Sequence, residues 1–130
     1  LKIYNMNTTI FEKTAKVNMK VLCEKRQIVP LSFECQILKL EDDVIGQAIT
    51  RTFKNNIQRI IQLNSVHLEK YKKLILLEII PHEVCHLVQH QLEDQRGFNH
   101  HSHGKIWHML MRELGFTSPR ITIDLERIKC

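Results

Sequence analysis

One short stretch, His82-Glu83-Val84-Cys85-His86, restricts what this chain can fold into more than any other. On an α-helix two imidazoles four residues apart project from one face, whereas on a strand they would sit about 13 Å apart and could not share a ligand. The stretch lies inside a helical pattern of apolar residues from Val66 to Leu92: Leu68, Tyr71, Leu74, Ile75, Ile79, Val84, Leu87, Val88 and Leu92. A helix with one buried face is therefore predicted there. Pro81 lacks a backbone donor and is expected to kink or divide that helix.

The remaining chain must supply something for this helix to pack on. With 130 residues, 43% hydrophobic and 25% charged, it is long enough for one packed domain spanning 1–130 and unlike a disordered tail or a collagen-like fibre. No Gly/Ser/Pro-rich linker and no repeat interrupts it. Residues 8 to about 27 carry Ile10, Phe11, Ala15, Val17, Met19, Val21 and Leu22 among Lys and Glu, which predicts an amphipathic helix capped by Thr8 or Thr9 and ended by Pro30. Leu31–Leu40, Val44–Phe53 and Asn56–Leu63 read as strands, with a hairpin turn at Lys54-Asn55-Asn56. They are expected to form a small three-stranded antiparallel sheet. A last helix is predicted over Gly104–Leu114, stopped by Gly115 with Pro119 beyond. The fold class is thus α+β: an N-terminal helix, a small sheet, the helix bearing the two histidines, and a C-terminal helix.

The most apolar run, Leu74–Ile80, contains Glu78 and stops at Pro81, so no membrane-spanning helix is expected. Cys23, Cys35, Cys85 and Cys130 form no CxxC pair, which favours a reducing, intracellular compartment, cytoplasmic or nuclear. A chain beginning at Leu1 rather than Met reads as a fragment or a processed product. The net charge of +5 is uneven, with residues 1–30 and 51–73 basic and residues 31–50 and 74–103 acidic. Basic blocks of this kind can face nucleic acid or an acidic partner, or be ordinary solvated surface.

Seven of the eight histidines fall between His82 and His108. The spacing of His82 and His86 suits two zinc ligands at about 2.0–2.1 Å, and Glu83, beside the first, can accept a proton from water without occupying a coordination position. A catalytic zinc site needs a third protein ligand. The extended form with Gly and His three and six residues on fails, because Gln89 and Leu92 stand there. A later carboxylate would be Glu113 or Glu126, of which Glu113 reads rather as a solvated acid. His103 is the best candidate: it precedes Gly104, which permits close approach, and it opens an apolar-periodic helix of Ile106, Trp107, Leu110, Met111 and Leu114 able to pack on the metal helix. His100 and His101 read as solvated loop, His90 as surface, Cys85 as a small inward-packed residue and Trp107 as core.

Pro81-His82-Glu83-Val84-Cys85-His86-Leu87-Val88, a polar insertion, and then His103-Gly104-Lys105-Ile106-Trp107 resemble the SprT-like family of zinc metallopeptidases. Weaker likeness upstream, in Gly46-Gln47-Ala48 and Ile61-Gln62-Leu63-Asn64, extends it over residues 10–125. The resemblance implies a minimal zincin-like metalloprotease with zinc on His82, His86 and His103 and Glu83 as the catalytic base. It implies a DNA-associated endopeptidase acting on DNA-bound or DNA-crosslinked proteins, a DNA-repair role. The Cys-rich C-terminal zinc ribbon or DNA-binding module of many members is expected to be absent from this chain. Two other readings fit the same ligands: a DNA- or protein-binding module in which zinc only fastens two helices, and a zinc hydrolase of a non-protein substrate. For the oxyanion, His100, His101 and Tyr71 are candidates besides zinc.

Overall fold

The computed structural model describes the backbone of residues 2–96 and 103–119, and the side chains of residues 9–94 and 103–119. Helix α1 runs Lys2–Glu24. It therefore begins upstream of the expected cap, and Thr8 and Thr9 lie within it, since the helix penalty of a threonine is a few tenths of a kcal/mol and does not stop a helix its neighbours support. Phe11, Ala15, Met19, Leu22 and Cys23 form its buried stripe, while Val17 points outward at 61% exposure. Gln27, at φ 56°, turns the chain before Pro30 is reached.

Strands β1 (Glu34–Leu38), β2 (Gly46–Phe53) and β3 (Asn56–Asn64) make one sheet in the order β1-β3-β2. The expectation of a fully antiparallel sheet is corrected here. β2 and β3 form an antiparallel hairpin, with Phe53 opposite Asn56 across Lys54-Asn55, but β1 pairs with β3 in parallel, Glu34 opposite Ile60 through Leu38 opposite Asn64. The reason is the path of residues 39–45, which carry the chain past the end of β3 to its far side, so that β3 returns in the direction of β1.

Asn64 holds that path in place. Its fully buried side chain accepts from the Leu40 and Val66 N–H groups at 3.2 Å each and donates to the Glu41 and Val44 carbonyls at 2.9 and 2.7 Å. Asn64→Ala would leave these backbone groups without their partner, and a loss of about 2–4 kcal/mol in chemical denaturation is expected.

The sheet turns Ile61 and Leu63, with Cys35, Ile37 and Ala48, toward the helices. The chain continues through a 3₁₀ turn (Ser65–His67) into α2 (Lys72–Leu74), a π-helical turn (Ile75–Ile79) and α3 (Ile80–Arg96). Pro81 explains the π turn. An α-helix would press its ring on the Leu77 carbonyl, and the wider turn, in which the Ile80 N–H reaches Ile75 O, relieves that contact. The helix is thus rephased rather than broken: the buried stripe runs Tyr71, Ile75, then five residues on to Ile80, and then Val84 and Val88.

Gly46 sits where the π turn meets the sheet. A Cβ there would lie 2.9 Å from Ile79 Cγ2, 3.2 Å from Leu63 Cδ2 and 3.3 Å from Gln62 O. Gly46→Ala is expected to cost about 1–3 kcal/mol by thermal or chemical melting, because the turn must move away from the strand.

Helix α4 (Lys105–Glu113) is capped by Gly104 and ends at Leu114, with Gly115 at φ 100°, as the glycine stop predicted. Trp107, Leu110 and Met111 bury its inner face against α3. At its far end Glu113 is not the solvated acid expected from the sequence. Arg26, closing α1, donates to it through both guanidinium nitrogens at 2.7 and 2.9 Å, so α1 and α4 are joined at their C-terminal ends.

Candidate metal centre

α3 presents His82 and His86 one turn apart, and the chain entering α4 brings His103 against them. His82 Nε2 lies 3.3 Å from His86 Nε2 and 3.2 Å from His103 Nε2. Four ligands arranged tetrahedrally at the usual zinc–nitrogen distance stand ~3.3 Å from one another, so these two separations match edges of such a site, and all three ligand atoms lie within 4.8 Å of one another. Among the described residues this is the one cluster whose ligand atoms could hold a metal ion.

The site has a floor in Trp107, which is core as the sequence predicts and also lies against the imidazoles. The Trp107 ring centroid lies 4.8 Å from those of His82 and His103 and 5.8 Å from that of His86. Its indole N–H donates to the His82 carbonyl at 3.2 Å. Trp107 thus both packs under the imidazoles and ties α4 to the first turns of α3.

Glu83 lies beside the cluster, its carboxyl oxygen 4.0 Å from His82 Nε2 and its residue 8% exposed. Burial pushes its carboxyl up from 4.5 to about 8, opposed by a hydrogen bond from the Ala48 backbone. His86 moves the other way: burial lowers it from 6.5 to about 4, with the Gln89 hydrogen bond opposing and His103 and His90 adding to the shift. Burial, then His108, also lowers His103. Neutral imidazoles are what a metal requires.

These shifts make the stability of the metal-free protein depend on pH. Glu83 binds its proton more tightly when folded, so its contribution is present below pH 4.5 and lost as pH rises toward 8. His86 binds its proton less tightly when folded, so its contribution is lost as pH falls from 6.5 through 4. Between pH 6.5 and 8 only the Glu83 slope remains of the two. The metal-free protein should lose stability across that window, and Glu83→Gln should remove the slope; denaturant titrations at several pH values check it.

The family model for the SprT-like family matches residues 4–127. The chain belongs to the SprT-like family. No curated protein and no solved structure gave a match.

In this SprT-like chain the other sequence candidates are placed as follows. His90 Nδ1 lies 3.0 Å from Thr50 Oγ1 and its ring 6.4 Å from that of His86, at the margin of the cluster. His67 meets the Asp42 carbonyl at 2.6 Å and is not one of the clustered histidines. Cys85 is fully buried, and burial raises its thiol further, which suits packing and not ligation. Tyr71 is a buried residue at the start of the helix, eleven residues before His82. His100, His101, Glu126 and Cys130 lie outside the described residues. Cys23, Cys35 and Cys85 are free thiols, and among the described residues no helix is long and apolar enough to cross a membrane.

Sequence reasoning missed Gln89 and Glu93. Both are buried; Gln89 Oε1 lies 2.9 Å from His86 Nδ1, and Gln89 Nε2 donates to Glu93 Oε1 at 3.1 Å. Their signal was present as polar residues three and seven positions after His86, which on a helix share its face.

Proposed function

We propose that this SprT-like chain is a zinc metalloendopeptidase of minimal zincin-like architecture, associated with DNA and acting on DNA-bound or crosslinked proteins. His82, His86 and His103 hold the zinc through Nε2, and Glu83 is the general base. When bound, zinc supplies Lewis acidity, bringing the pKa of water toward neutrality and polarising a carbonyl.

The observation that carries this reading is the position of Glu83 between the histidines and a strand edge. Its carboxyl stands beside His82 without entering the triad, and it is held by the backbone of Ala48. Ala48 belongs to β2, which ends the sheet order among the described residues, so the strand offers backbone donors and acceptors next to the base. An extended peptide adds to such an edge through main-chain hydrogen bonds, which favours a polypeptide over a small substrate. In the reaction Glu83 Oε takes a proton from the attacking water and delivers it to the departing amide nitrogen. Trp107 closes the floor and keeps bulk water from the imidazoles. His86 and His103, depressed by burial, stay neutral and available as ligands at pH 7.

DNA association is supported by the resemblance and by two cations beside His103, Lys105 and Arg112. A depression of about 550 Å³ opens beside His103, lined by Lys105, His108, Met109 and Arg112. The basic block 51–73 divides in the fold: Arg51 and Lys54 stand at the β2–β3 hairpin, whereas Lys70, Lys72 and Lys73 follow the opposite end of β3. The test is metal content by mass spectrometry together with cleavage of a DNA-bound basic protein, with and without DNA. One zinc per chain and DNA-stimulated cleavage is the expected result. Zinc without cleavage of any protein would overturn the peptidase reading and favour a fastening role for the metal.

A further inference from the structure

We infer that Gln89 and Glu93 are positioning residues that fix His86 in the tautomer a metal needs. The inference rests on the metal reading of the three histidines and extends it to the residues behind them. Gln89 is 0% and Glu93 3% exposed, so their polar atoms have left water and their hydrogen bonds decide their orientation. A carboxylate oxygen only accepts, so Glu93 Oε1, at 3.1 Å, selects the amide nitrogen of Gln89 as its neighbour. That choice turns Gln89 Oε1 toward His86 Nδ1, at 2.9 Å. An amide oxygen is also an acceptor, so Nδ1 must carry the imidazole proton, and the lone pair is left on Nε2, the atom facing His82 Nε2 at 3.3 Å.

Reversing the amide would reverse everything after it. Gln89 would then offer N–H to Nδ1, the imidazole proton would move to Nε2, and the nitrogen aimed at the metal would have no lone pair. Glu93 is therefore the lock, Gln89 the transmitter and His86 the ligand, all on successive turns of α3. The amide spacer also keeps the buried carboxylate out of direct contact with the imidazole, so it orients the ring without competing as a ligand.

The experiment uses the full chain and two readouts. In metal-free protein, ¹⁵N NMR of the histidine side chains reports the His86 tautomer; in metal-loaded protein, competition with a chelator gives zinc and cobalt affinity. Wild type should show the Nδ1–H form. Gln89→Met, similar in volume but without the acceptor, should populate both tautomers and weaken metal binding about 10–100-fold. The exchanged pair, Gln89→Glu with Glu93→Gln, keeps an acceptor facing His86 Nδ1 and re-forms the second hydrogen bond with donor and acceptor exchanged, and should return affinity to within about threefold of wild type. A wild-type His86 protonated on Nε2, a Gln89→Met variant with unchanged affinity, or an exchanged pair as weak as Gln89→Met overturns the inference. Wild type with the Nδ1–H form that binds neither metal would instead overturn the metal reading and leave the hydrogen-bond relay standing.

Discussion

Glu83→Gln retains one zinc per chain and loses hydrolysis by about 10²–10⁴-fold, the share a positioned general base supplies. The substitution keeps the size of the side chain and an oxygen that the Ala48 backbone can bond, so the site should hold its shape. What it removes is the ability to take a proton from water at the position beside His82. Because Glu83 is buried and costly to ionise without a cation nearby, the variant should also be no less stable than wild type when metal-free. Cleavage rates measured against metal content separate the two effects. A variant that cleaves at the wild-type rate removes Glu83 from the chemistry, and one that loses its zinc makes the carboxylate a ligand.

Trp107→Ala is expected to lower stability by about 3–5 kcal/mol and to weaken metal binding together with it. The indole is fully buried, lies within 5.8 Å of all three imidazole centroids and gives the His82 carbonyl a second hydrogen bond beside its helical one, so its removal opens a cavity under the site and loosens α4 from α3. Trp107→Phe keeps most of the ring and loses only the donor, so about 1–2 kcal/mol is expected from it. Denaturant melts of the metal-free variants and chelator competition on the loaded ones distinguish packing from ligand placement. A cost under about 1 kcal/mol for Trp107→Ala would show that the imidazoles are held from elsewhere.

The helices were legible because burial imposes a period on their residues. Phe11, Ala15, Met19 and Leu22 mark α1, and Trp107, Leu110 and Met111 mark α4, with Gly115 as its stop. The start of α1 was misread because a threonine resembles a cap wherever it stands, and only the neighbouring turns decide whether a helix continues through it. Strand positions were legible for the same reason, yet their pairing was not. Whether β1 runs parallel or antiparallel to its neighbour depends on which side of the hairpin it joins, and that is fixed by the Asn64 amide binding the 40–45 segment. Nothing local distinguishes that asparagine from a solvated one.

The candidate site divides along the same line. By itself the sequence determined His82, Glu83 and His86 as a unit, since a helix fixes the relation of residues one turn apart whatever surrounds it. It also pointed to His103 by the helix that follows. Tertiary structure alone decided the rest: that Trp107 lies beneath the imidazoles, that an edge strand holds the carboxyl of Glu83, and that Gln89 and Glu93 stand behind His86 in the protein interior. Such contacts depend on which faces meet and on how much water remains between them, and one strand of letters carries neither.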